Sequence, residues 1–194
     1  ALPEDQRREA LQQISFTDLD ASGQQAYTAL LRDLIPASER ADSFSYVVED
    51  LVIDGGFAAV DEFLENVDAS AAERGIWATQ AATSQILEIS DERAVTRGDL
   101  EEMRTWLAKH APDAVDKMTG RALADATQDG SELEYAEAAR LAGEYYKSSG
   151  NDQVIVAFLE SFAAHSNLEE ALPMADLITD RKRREEILSQ IRQP

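Results

Sequence analysis

The side chains in this 194-residue chain that could do chemistry are few. Its two histidines, His110 and His165, each fall near the end of a helical pattern, where a partly cationic imidazole sits favourably against the helix dipole. Neither has a second histidine at the spacing of an H-E-x-x-H zinc site, and no serine occupies a G-x-S-x-G elbow, so zinc and triad hydrolase readings lack their minimum parts. Cysteine is absent, which removes disulfides, thiol catalysis and thiolate metal ligands. The segment Asp18-Leu19-Asp20-Ala21-Ser22-Gly23 imitates the first half of a calcium loop, but Ala29 stands where a bidentate glutamate would be needed; the residues read instead as the end of one helix and the cap of the next. The acidic pairs Asp91-Glu92, Glu101-Glu102 and Glu169-Glu170 supply adjacent carboxylates, and adjacent residues on a helix point about 100° apart, unlike the facing pair of a glycosidase. The expectation is a chain with no catalytic residues, no metal and no cofactor.

Contact residues are a better prospect. Tyr145 and Tyr146 are neighbours on one helical pattern and cannot both face inward, so at least one reaches the surface or a groove. Arg181, Lys182, Arg183 and Arg184 form a basic cluster at a helix start, where positive charge is mildly unfavourable; they read as a docking patch for an acidic partner, or as a solvated face paired with Asp180, Glu185 and Glu186. Trp77, Trp106 and Tyr135 read mainly as core.

The formal charge of −20, from 38 acidic against 18 basic residues, argues against nucleic acid as a partner, because its phosphates would be repelled. No apolar run approaches the roughly 20 residues that cross a bilayer, so membrane insertion is not expected. A start at Ala1 suits a chain left by signal-peptide removal as well as a trimmed one, and leaves cytoplasmic and exported locations both open.

These residues must be positioned by helices. Ser22/Gln25, Ser70/Glu73, Asp99/Glu102, Ser131/Glu134 and Asn167/Glu170 have the spacing of reciprocal N-terminal caps, and Asp180 and Pro112 suit further helix starts. Apolar residues follow at three- and four-residue spacing, and Gly55-Gly56, Gly98, Gly130 and Gly150 mark breaks. The pattern predicts about eleven helices over 3–14, 23–35, 43–53, 56–66, 70–88, 99–110, 112–128, 131–148, 151–164, 167–178 and 180–192. Strands are not expected, since Val154-Ile155-Val156 continues into the helical spacing of Phe158, Leu159 and Phe162. With short connections the reading is one all-α domain over 1–194, antiparallel hairpins throughout, with an internal boundary or bent helix near 89–98.

A glycine followed by an apolar residue and then two adjacent large apolar residues recurs at Gly23, Gly56, Gly98 and Gly150, at irregular intervals. The small residues of 122–126 and 136–143 would let helices approach closely. From Ala136 to about Glu169 the chain resembles a tetratricopeptide repeat: Gly143, Tyr146 and Gly150 have its G-x2-Y-x3-G spacing, flanked by Ala136-Glu137-Ala138 and Tyr145-Tyr146-Lys147. It departs from the family at Ala139, where the family has an aromatic, at Ile155 and Phe162, where it has small residues, and at Asn167, where it has proline. The resemblance implies a right-handed α-α superhelix that binds a protein or peptide, and no catalytic residues. A helical enzyme or small-ligand binder with a pocket between hairpins, and an acidic mimic of nucleic acid, are the alternatives.

Overall fold

The computed structural model describes residues 3–127 and 132–192. Twelve α-helices and no strand lie among the described residues. The chain divides into two compact units, residues 1–85 and 86–194, with one helix running through the division.

The first unit holds α1 (Glu4–Gln12), α2 (Ala21–Leu34), α3 (Ala37–Ser43), α4 (Ser45–Asn66) and most of α5 (Ala71–Glu92). The cap of α2 is Asp20, whose carboxylate accepts from the Gly23 amide at 2.8 Å, rather than the Ser22/Gln25 pair. The Ser70/Glu73 cap forms as the spacing predicts: the Ser70 amide and hydroxyl both donate to Glu73, and the Glu73 amide donates back to the Ser70 hydroxyl. Within α4 the chain leaves helical geometry at Gly56, whose φ of 65° lies in the left-handed region that favours glycine, so the two expected helices join across a kink. An aromatic chain fills the interior, with Phe16 edge-on to Tyr27 and Phe63, and Phe63 against Trp77. The buried Trp77 indole donates to the Ala41 carbonyl at 3.1 Å.

The second unit holds α6 (Arg97–His110), a 3-10 turn at Pro112–Ala114, α7 (Val115–Asp125), α8 (Tyr135–Ser149), α9 (Gln153–Leu159), α10 (Ala163–Ser166), α11 (Leu168–Ala175) and α12 (Arg181–Ile191). Helix α5 runs on to Glu92, so only 93–96 of the expected 89–98 interruption lie outside helices. The α6 cap is Thr96 with Asp99, not Asp99 with Glu102, because the helix begins a turn earlier than the apolar spacing suggests. Ser131 of the fourth expected cap and the break at Gly130 lie outside the described residues. Asn167 precedes α11 without capping it; its side-chain amide donates instead to the Ala163 carbonyl. Asp180 caps α12 through the Arg183 amide.

Helix α9 carries six consecutive buried residues, Val154 to Leu159, and packs most closely on α7. Gly120 sets that distance, since a Cβ there would stand 2.1 Å from the Val154 carbonyl oxygen. Gly150 ends α8 in the left-handed conformation, φ 66°, and its amide donates to the Tyr146 carbonyl. The expected helix 151–164 is interrupted: α9 stops at Leu159, Phe162 lies in the turn before α10, and within that turn the Ser161 hydroxyl donates to the Phe158 carbonyl at 2.9 Å.

Candidate functional site

That interruption has a consequence at the surface. On a continuous helix Phe162 would follow Phe158 one turn later onto the same face; in the turn it stands 85% exposed, while Phe158 is fully buried. It is the most exposed large apolar side chain of the described residues. It lines an open groove of about 820 Å³. The buried Leu159 and Ile191 form its floor, the half-exposed Leu168 and His165 a wall, and Glu160 and Arg192 its charged rim. The His165 ring lies 5.9 Å from that of Phe162. Two further depressions adjoin, one lined by Ser161, Phe162 and Asn167 and the other by Lys117, Arg121, Asp125 and Glu160. What this surface offers is apolar contact area at the turn between helices, with charge around it.

The sequence-predicted contact residues fall elsewhere. Tyr145 is buried on α8. Its hydroxyl donates to Glu101 at 2.8 Å, and the guanidinium groups of Arg104 and Arg97 lie over its ring at 4.8 and 5.8 Å. Burial first, and then the Glu101 carboxylate, push the phenol well above its ordinary titration range. Around it Arg97 pairs with Glu144, Arg140 with Glu137 and Glu144, and Arg104 with Asp116. Tyr145 thus ties α8 to α6. Tyr146 is half-exposed. In the basic cluster Arg181 pairs with Glu185, Lys182 with Glu186, and Arg183 with both Glu186 and Glu160; Arg184 is half-exposed. The structure brings only Arg183 to the Phe162 groove, through its bond to the rim carboxylate Glu160.

The sequence places Phe162 in the helical spacing that continues from Phe158 and Leu159, not among contact residues. A signal was present all the same: it puts a bulky ring where the tetratricopeptide pattern has a small residue. Lys117 carries no such signal.

In the first unit the polar groups serve the interior. Arg40 and Glu73 form a buried ion pair, with Arg40 Nε and one amino nitrogen donating to the two carboxylate oxygens at 2.7 and 3.1 Å. Burial works to raise the Glu73 carboxyl, and the bonds from Arg40 and Ser70 outweigh it, so the group titrates below its ordinary range. The Tyr27 and Tyr46 hydroxyls lie 2.9 Å apart, each 3.3 Å from the Leu11 carbonyl at the end of α1. Asp50 shifts the other way, raised by burial and then by Asp54 and Asp18. A hollow of about 130 Å³ lies between α2 and α4, lined in part by Phe16, Gln24, Thr28 and Phe63. Asp20 of the calcium-like segment is occupied as a helix cap. Among the described residues no three His, Asp or Glu side chains are grouped to hold a metal ion, and no helix is long and apolar enough to cross a membrane.

Protein-family models, curated proteins and solved structures were each compared with the chain, and none matches it.

Proposed function

We propose that this chain is a non-enzymatic scaffold of stacked helical hairpins, tetratricopeptide-like in its right-handed arrangement, that binds a protein or peptide segment. The observation that carries the reading is Phe162, 85% exposed in the lining of an open groove with an apolar floor. Leaving a phenylalanine in water forgoes roughly 1.5–3 kcal/mol that burial would supply, and a partner's surface recovers it. Contiguous exposed apolar area rimmed by polar groups marks interaction sites, and the lining of this groove adds the 41% exposed Leu168 to Phe162.

Two features favour this over a ligand pocket. The groove's volume overlaps the range of small-molecule sites, roughly 300–1,000 Å³, but it is open rather than enclosed, and Phe162 in its lining is 85% exposed. The hollow in the first unit, at about 130 Å³, falls well below that range.

The test is affinity capture from a lysate of the source organism with the intact chain as bait, beside the Phe162→Ser variant. A stoichiometric protein that binds the wild type and is lost from the variant supports the reading. Equal recovery by both baits, or a thermal shift with metabolites in place of any protein, counts against it.

A further inference from the structure

The charges around Phe162 narrow the kind of partner. Among the described residues every carboxylate lining the three depressions is ion-paired: Glu160 with Arg183, and Asp125 with Arg121. Two cations lining them, Lys117 on α7 and Arg192 just past α12, are exposed and make no ion pair among the described residues. In a chain of net charge −20 this surface therefore carries two exposed cations with no ion-pair partner among the described residues, Arg192 in the groove that Phe162 lines and Lys117 in an adjoining depression.

Resting on the docking reading above, we propose that the Phe162 groove takes an acidic segment of another protein, one that presents large apolar side chains with carboxylates beside them. The apolar residues cover Phe162 and enter the groove over Leu159 and Ile191, and the carboxylates meet Lys117 and Arg192. Charge screening decides whether the acidic body of the protein forbids this. At physiological salt the screening length is about 8 Å, so a short segment responds to the charges at its own site rather than to the remote carboxylates. An anionic membrane is the other surface that exposed aromatic and basic residues could suit. It is disfavoured because a bilayer is broad enough to meet the acidic body as well, and because the apolar floor here is recessed in a groove.

The experiment uses the full chain and two synthetic 16-residue peptides with the same Leu and Phe positions at i, i+3, i+4 and i+7, the remaining positions mainly glutamate in one and mainly lysine in the other. Binding is measured by calorimetry at 0.15 M salt to the wild type, to Phe162→Ser, and to the charge reversals Lys117→Glu and Arg192→Glu. Circular dichroism checks that each variant is folded. The glutamate peptide should bind the wild type, weaken at least tenfold with Phe162→Ser and several-fold with each reversal, and any binding of the lysine peptide should ignore Phe162→Ser. If the lysine peptide binds through Phe162 and the glutamate peptide does not, the acidic partner is wrong while the docking surface stands. If neither peptide's binding depends on Phe162, the docking surface itself is contradicted. Two other results overturn the proposal by naming another occupant: Phe162-dependent sedimentation with phosphatidylserine vesicles, or self-association of the chain that Phe162→Ser abolishes.

Discussion

The two units fill their interiors with different emphasis, although both bury aromatic rings, the second those of Trp106, Tyr135, Tyr145 and Phe158. The first fills its interior with rings, from Tyr27 through Phe16 and Phe63 to Trp77, and places a complete ion pair, Arg40 with Glu73, inside it. The second packs helices over small residues, with Gly120 letting the α7 backbone touch that of α9, and keeps most of its ion pairs on exposed faces of α6, α8 and α12. It also leaves Phe162, a large ring, outside. An interior of large, specific partners is intolerant of truncation, whereas an interior of close backbones is intolerant of enlargement. An aromatic kept out of an otherwise closely packed unit is a candidate for use elsewhere.

Each half of that contrast can be broken separately. The largest effect is expected in the first unit. Glu73→Ala leaves a buried guanidinium unpaired and should cost about 3–5 kcal/mol, measured by urea unfolding, whereas Arg40→Met combined with Glu73→Leu should recover most of the loss. Loss as large in the double variant would mean that the pair does more than satisfy itself. Gly120→Ala comes next: its Cβ meets backbone rather than a yielding side chain, and overpacking of this sort costs about 1–3 kcal/mol or more. A neutral result would show that α7 and α9 separate freely.

Acid sharpens the contrast further. Because the Glu73 carboxyl titrates lower in the folded chain than in the unfolded one, its stabilisation is fully present above the ordinary glutamate range, near pH 4.3, and is lost as pH falls through the folded value. Asp50 is raised, so it opposes folding at neutral pH and is relieved as pH falls. Below about pH 4 the stability gap between wild type and Glu73→Gln should therefore narrow, and that between wild type and Asp50→Asn should not widen. Fluorescence of Trp77 in a Trp106→Phe background, followed through an acid titration, reads both. The smallest effect on stability belongs to Phe162→Ser, a substitution at an exposed turn, which should stay within about 0.5 kcal/mol of wild type.

What the sequence made legible was what is local. The Ser70/Glu73 cap, the Asp180 cap, the kink at Gly56 and the stop at Gly150 each depend on residues a few positions apart, and the helical class follows from the apolar spacing. The partner of Glu73 is 33 residues away, so its second role inside an ion pair could not be read from the cap that it also forms. Gly120 looked like any helical glycine, since the Val154 backbone that requires it belongs to another helix. The adjacent tyrosines showed that one must leave the interior, but which one depended on Glu101, Arg97 and Arg104 across from α8. Phe162 had helical spacing from Phe158, but α9 stops at Leu159 and the chain turns at 160–162 before that spacing is used. The same hydroxyl bond that Ser161 makes to Phe158 is made by Thr79 and Ser90 inside the unbroken α5, so no residue type announced the stop, and only the mismatch to the repeat pattern pointed at the candidate site.

Whether the second unit holds Phe162 out for a partner is read by hydrogen–deuterium exchange of the intact chain, free and saturated with the partner recovered by capture. Exchange should slow across 159–168 and 188–192 with residues 3–85 unchanged. Protection confined to the first unit, or to the Tyr146 face of α8 without 159–168, would contradict that role for Phe162.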